Sequence, residues 1–78
     1  MPTVLRVGPY RFFFYSNEGT EPPHIHVEAG SASAKFWIHP VAIATNHGFA
    51  GKAVREIEHI VVAHRDELES AWYAYFQP

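Results

Sequence analysis

Three titratable side chains alternate along one short stretch of the chain, His24, His26 and Glu28 in Pro22-Pro23-His24-Ile25-His26-Val27-Glu28. In an extended strand alternate residues share a face. The two imidazoles and the carboxylate therefore project one way, and Ile25, Val27 and Ala29 the other. The Cα atoms of His24 and His26 then lie about 6.5–7 Å apart, close enough for both rings to converge on one ion. The next apolar segment alternates in the same manner, with Lys35, Trp37 and His39 set against Phe36 and Ile38. A two-residue loop at Ser31-Ala32 pairs Glu28 with Lys35, His26 with Trp37 and His24 with His39. The opposite charges of the first pair favour this register by ~0.2–1 kcal/mol.

Such a face admits three kinds of chemistry. His-x-His on a strand is a metal-ligand spacing, with His39 or Glu28 as third ligand. Neutral imidazoles can also act as base and acid, with Lys35 stabilising an anion, so His24, His26 and Lys35 are the candidate catalytic residues. No nucleophile or phosphate-cradling glycine motif accompanies them. The plainest reading, a solvated or partner-covered face with His26 stacked on Trp37, is the expectation. No carboxylate is placed by the pattern to orient either ring, and unoriented imidazoles hold metal weakly. No resident metal and no cofactor are expected.

The elements that must position these residues follow from periodicity. Thr3–Val7 and Tyr10–Tyr15 flank the turn signal Gly8-Pro9, and His24–Ala29 and Ser33–Ile38 flank Gly30-Ser31. Val41–Ala44 reads as a short fifth strand or a loop after Pro40. Ser16–Pro23 is a polar loop rich in turn formers. From Ala50 to Phe76 the period becomes helical, with Val54, Ile57, Val61, Leu68, Trp72 and Tyr75 within about 60° on a helical wheel. Asp66 and Glu69 have capping-box spacing, so a kink or break is expected near His64-Arg65, and Ala50-Gly51 is an uncapped helix start. The fold class is α+β. It comprises an antiparallel sheet of four to five strands and a kinked C-terminal helix, or two helices, packed on one face. Residues 1–78 are read as a single domain, with 1–45 the sheet portion and 50–77 the helical portion. Ile25, Val27, Phe36, Ile38, Val54, Ile57, Val61, Leu68 and Trp72 are the expected core, and the His24/His26/Glu28 face should turn away from the helices.

Composition narrows the function classes. The chain has 78 residues, no cysteine and twelve aromatic residues, so neither disulfides nor thiolate–zinc sites reinforce a thin core. The net charge of −2 disfavours a strong non-specific hold on nucleic acid. Residues 41–78 carry three basic and five acidic side chains, so the helical segment is a poor DNA-recognition element and RNA binding is left open. Six histidines could move the charge towards +4 below about pH 6. No apolar run approaches the ~18 residues of a membrane span and no leader is read, so a cytoplasmic protein is expected. Trp72, Tyr73, Tyr75 and Phe76 carry more aromatic surface than one helix face buries. Trp37, His39, Tyr73 and Phe76 are the candidate partner-binding residues.

Several stretches together resemble a known family. They are Met1-Pro2-Thr3-Val4, Gly8 to Gly19 (GPYRFFFYSNEG), Glu21-Pro22-Pro23-His24-Ile25-His26-Val27-Glu28, Ala34-Lys35-Phe36-Trp37, Pro40-Val41, Gly48-Phe49, and Trp72 with Tyr75-Phe76. The chain resembles the small bacterial domain-of-unknown-function 4160 family over essentially its whole length. Members are short proteins often encoded beside a small protein of the domain-of-unknown-function 2442 family. The resemblance implies a toxin–antitoxin-like two-protein module, with this chain on the toxin side and acting by protein binding; a homodimer is a further expectation. It brings no catalytic residues and leaves enzymatic activity open. The alternative is a histidine-dependent ribonuclease or hydrolase using His24 and His26, with or without a metal. His39 and His64 depart from the family pattern, which commonly has an acidic residue and often asparagine there.

Overall fold

A computed structural model describes residues 3–76. The element order is β1 (Thr3–Val7), β2 (Tyr10–Phe13), β3 (His24–Ala29), β4 (Ala32–Ile38), β5 (Val41–His47), α1 (Gly51–Ala63) and α2 (Arg65–Phe76). The strands form one antiparallel meander in the order β1-β2-β3-β4-β5, so the protein is α+β with two C-terminal helices.

Register between β3 and β4 differs from the expected one by two residues. Ala29 faces Ala32, Glu28 faces Ser33, His26 faces Lys35 and His24 faces Trp37. The turn centres on Gly30-Ser31 because Gly30 sits at φ +60°, a conformation that costs glycine nothing and other residues more. The connection keeps its even length, so residues 24, 26 and 28 still share a face with 33, 35 and 37. His39 instead falls beyond the strand, exposed in the β4–β5 turn, and no longer faces His24. β5 is longer than the expected Val41–Ala44 segment, running to His47 against β4 with a bulge opposite Lys35/Phe36. It ends where the Asn46 side chain accepts the Phe49 N–H and donates to the Phe49 carbonyl, both at 3.0 Å. That local turn leads the chain into α1, whose Ala50 cap has no side-chain bond.

The helical pattern does break at His64. Its φ of −109° and ψ of 16° leave α-geometry while its N–H still reaches the Ile60 carbonyl. Its own carbonyl accepts from Leu68 N–H at 2.9 Å, so α2 begins one residue before Asp66, with Asp66 and Glu67 in the first turn. The acidic side chains there complement the positive helix end. Tyr10 donates to Glu56 at 2.6 Å and ties α1 to β2.

Both helices cover one sheet face. Phe12, Ile25, Val27, Phe36 and Ile38 from the strands, with Phe14 just past β2, meet Ile57, Val61, Leu68 and Trp72 from the helices. Every expected core residue is buried except Val54, which packs against the margin. His26 lies on the uncovered face as expected. His24 shares that face but is not open to solvent: it is 0% exposed and its ring centroid is 4.7 Å from that of Trp72. It is the first residue of β3, where α2 reaches the end of the sheet.

Trp72 thus joins Phe14, Phe76 and His24 in one cluster. Truncating a buried tryptophan costs about 3–5 kcal/mol, against roughly 4–12 kcal/mol for a whole domain of this length. Trp72→Ala should leave the protein largely unfolded at 37 °C. A cooperative melt within 5 °C of the parent, followed by far-UV circular dichroism, would contradict that placement.

Candidate functional site

The connection from β2 to β3 is ten residues, Phe14 to Pro23. Hairpin loops usually need two to five, and compact surface loops of about 6–16 residues frequently carry function. This one folds back over the start of β3. Glu21 N–H donates to the Glu18 carbonyl at 3.2 Å, closing a turn that brings Glu18 above the two histidines. The segment also lies close against α2: a Cβ at Gly19 would sit 2.8 Å from Phe76 Cδ1, so only glycine fits without displacement.

One carboxylate oxygen serves both imidazoles. Glu18 Oε1 is 2.9 Å from His24 Nε2 and 2.7 Å from His26 Nε2. The other nitrogen of His24, Nδ1, donates to the Pro22 carbonyl at 3.0 Å. A carbonyl only accepts, as does an ionised carboxylate. The Pro22 carbonyl therefore fixes a proton on His24 Nδ1, and both Nε2 atoms face the same Glu18 oxygen.

Electrostatics follow from burial and pairing. Burial pushes the Glu18 carboxyl up, but hydrogen bonds from His24 and His26, with their charge, outweigh it and hold it below its ordinary value. Burial also dominates at His26 and lowers its pKa; Glu18 opposes that without reversing it, and His24 and Lys35 add to the lowering. His26 stacks on Phe13 at 5.6 Å and meets the Tyr15 edge at 4.5 Å, so the expected His26–Trp37 stack is replaced. Trp37 instead lies under Lys35, whose Nζ is 4.6 Å from the ring centroid and donates to Glu21 at 2.5 Å. Glu28 pairs with Arg11 at 2.5 Å rather than with Lys35. Beside His26 a hollow of about 210 Å³ opens, lined by Phe13, Tyr15, Ser33, Ala34, Thr45 and His47.

Of the candidate catalytic residues, His24 and His26 are brought together and Lys35 is the cross-strand neighbour of His26. Among the candidate partner-binding residues Tyr73 and His39 are exposed, Trp37 is half-buried, and Phe76 packs on Phe14 and Trp72. Glu18 is the site residue that strand periodicity did not reach. Its available signal was a carboxylate in an overlong polar loop leading into a His-x-His strand.

Residues 10–73 match the family described as Domain of unknown function (DUF4160). The chain belongs to this family. The match takes in β2, Glu18, both site histidines and most of α2, so the triad lies within the DUF4160 region. No curated protein and no solved structure matches the chain.

Both perturbed groups bind protons less readily folded than unfolded, so both make stability fall on acidification. The His26 contribution is complete above its unfolded value of about 6.5 and is lost as pH falls towards its lowered folded value. The Glu18 contribution is present above the ordinary carboxylate value and is lost as pH falls through its lower folded one. In chelator-treated buffer the melting temperature should fall first below about pH 6.5 and again in the carboxylate range. His26→Gln should flatten the first limb; a melting temperature that rises between pH 7 and 5 would refute the burial of neutral His26.

Proposed function

We propose that this protein works by binding another protein, as the toxin-side member of a toxin–antitoxin-like two-protein module in the bacterial cytoplasm. The partner is the small domain-of-unknown-function 2442-type product of the neighbouring gene. The observation that carries the reading is the β5 edge. Among the described residues the sheet ends at this seven-residue strand, Val-Ala-Ile-Ala-Thr-Asn-His, which has no lysine, acidic residue or proline and exposes Ile43. Natural sheets guard such edges with charge, proline or bulges because unpaired backbone groups recruit another strand. Here a single bulge at Ala44 is the guard. The opposite edge, β1, is five residues long and carries Arg6. Strand addition along β5 supplies main-chain hydrogen bonds, and the neighbouring side chains supply selectivity.

Co-expression with the adjacent gene product should give one co-eluting complex on size exclusion. Ile43→Lys, at an exposed position, should leave the fold within about 0.5 kcal/mol of the parent while weakening the complex at least tenfold. A monomer that ignores its neighbour, or a complex indifferent to Ile43→Lys, would end the edge-pairing reading; a homodimer through β5 would redirect it to self-association.

A histidine-dependent ribonuclease or hydrolase is the second reading, favoured by His26, which burial keeps neutral, beside the hollow with His47 and Thr45. A neutral imidazole held by a carboxylate is suited to proton transfer. Because His24 is buried in the core, its truncation confounds folding with activity, and His26→Ala is the informative variant. On this reading, growth arrest on expression is lost in His26→Ala and kept in His59→Ala; arrest that survives both would exclude it.

A further inference from the structure

From the Glu18–His24–His26 cluster we infer a divalent transition-metal site of the zinc class, in which one carboxylate oxygen and the two Nε2 atoms hold the ion. This inference is independent of the protein-binding reading.

Two imidazoles and one carboxylate are a donor set suited to zinc. The three ligand atoms all lie within 4.8 Å of one another. Tetrahedral coordination at 2.0–2.1 Å separates neighbouring ligand atoms by ~3.3 Å. The observed 2.9 and 2.7 Å contacts therefore need to open by only about 0.5 Å to admit an ion. Glu18 sits in a loop and is the member free to make that adjustment; its side chain is 19% exposed, that of His24 0%.

Unoriented imidazoles hold metal weakly, but in the folded chain both rings are oriented. His24 Nδ1 donates to the Pro22 carbonyl, which fixes its tautomer and aims the Nε2 lone pair at the cluster. Glu21 Oε1 lies 3.8 Å from the same nitrogen. The stacked Phe13 ring and the edge-on Tyr15 ring hold the His26 imidazole in place. Lys35 is a cation facing the cluster, and its pairing with Glu21 offsets its charge. Coordination takes the lone pair of each Nε2, so the proton that His26 directs at Glu18 moves to its Nδ1, His24 keeps its proton on Nδ1, and any further proton between His24 Nε2 and Glu18 leaves as the ion binds. With three protein ligands the fourth position falls to water or to a ligand group.

Such an ion also joins the Phe14–Pro23 loop to β3 by coordination. Any cation that binds only the folded chain stabilises it by mass action. At free zinc a hundredfold above Kd, the melting temperature should rise by roughly 10–20 °C.

The test uses the full untagged chain, stripped with chelator and titrated with zinc by calorimetry and with cobalt by visible absorption. One ion per chain is expected, with the cobalt bands of a four-coordinate site. Binding should be lost in His26→Ala, weakened at least tenfold in Glu18→Gln, and unchanged in His39→Ala and His59→Ala. Failure of zinc to bind or shift the melt at 1 mM, or unchanged affinity in Glu18→Gln, would overturn the site. So would a stoichiometric ion that is lost with His39 or His59. Glu18→Gln keeps the carbon skeleton of a partly exposed loop residue, so its result stands even where His26→Ala fails to fold. Co-elution with the neighbouring protein is scored separately, so either reading can fall without the other.

Discussion

The structure turns on a single carboxylate oxygen shared by two imidazoles. His24 is completely buried, and an imidazole in that position must satisfy both ring nitrogens. The Pro22 carbonyl takes one and Glu18 takes the other. A buried donor left without its acceptor costs about 1–3 kcal/mol, a large fraction of the stability of a domain this size. Satisfied, His24 becomes a polar member of the core, in contact with Trp72 on one side and His26 on another.

That contact links elements far apart in sequence. The loop carrying Glu18 must approach β3 closely, which places Gly19 against Phe76 at the end of α2. Phe76 in turn packs on Trp72 at 4.2 Å and on Phe14 at 5.8 Å. Loop, strand and helix therefore meet around one aromatic cluster. A chain without cysteine and with twelve aromatic residues gains there the cohesion that disulfides provide in other small domains.

The two faces of the sheet solve different problems. On the helix side, burial of aliphatic and phenyl groups supplies the driving force. On the other side no helix among the described residues covers the strands, and cations lie over aromatic rings instead. Arg11 caps Phe13 at 4.5 Å while pairing with Glu28, and Lys35 caps Trp37 while pairing with Glu21. Phe13 is only 3% exposed on that face, because Arg11, Tyr15 and His26 shield it. The face combines order with chemistry: its charges are held in place and His26 opens to the hollow.

The order of elements, the helical stripe and its break at His64 were legible in the chain, because each depends on contacts between near neighbours in sequence. So was the sharing of a face by His24 and His26, which strand alternation dictates for any register of even loop length. The exact register was not: Gly30 and Ser31 compete with Ser31 and Ala32 for the turn, and the backbone conformation of Gly30 decides between them. The burial of His24 was also hidden, because it depends on how far α2 extends over the end of the sheet. Glu18 became part of the site only when a ten-residue loop closed back on β3. Local periodicity sets which way a side chain points along its own strand; what it meets there depends on elements distant in sequence, and packing alone brings those together.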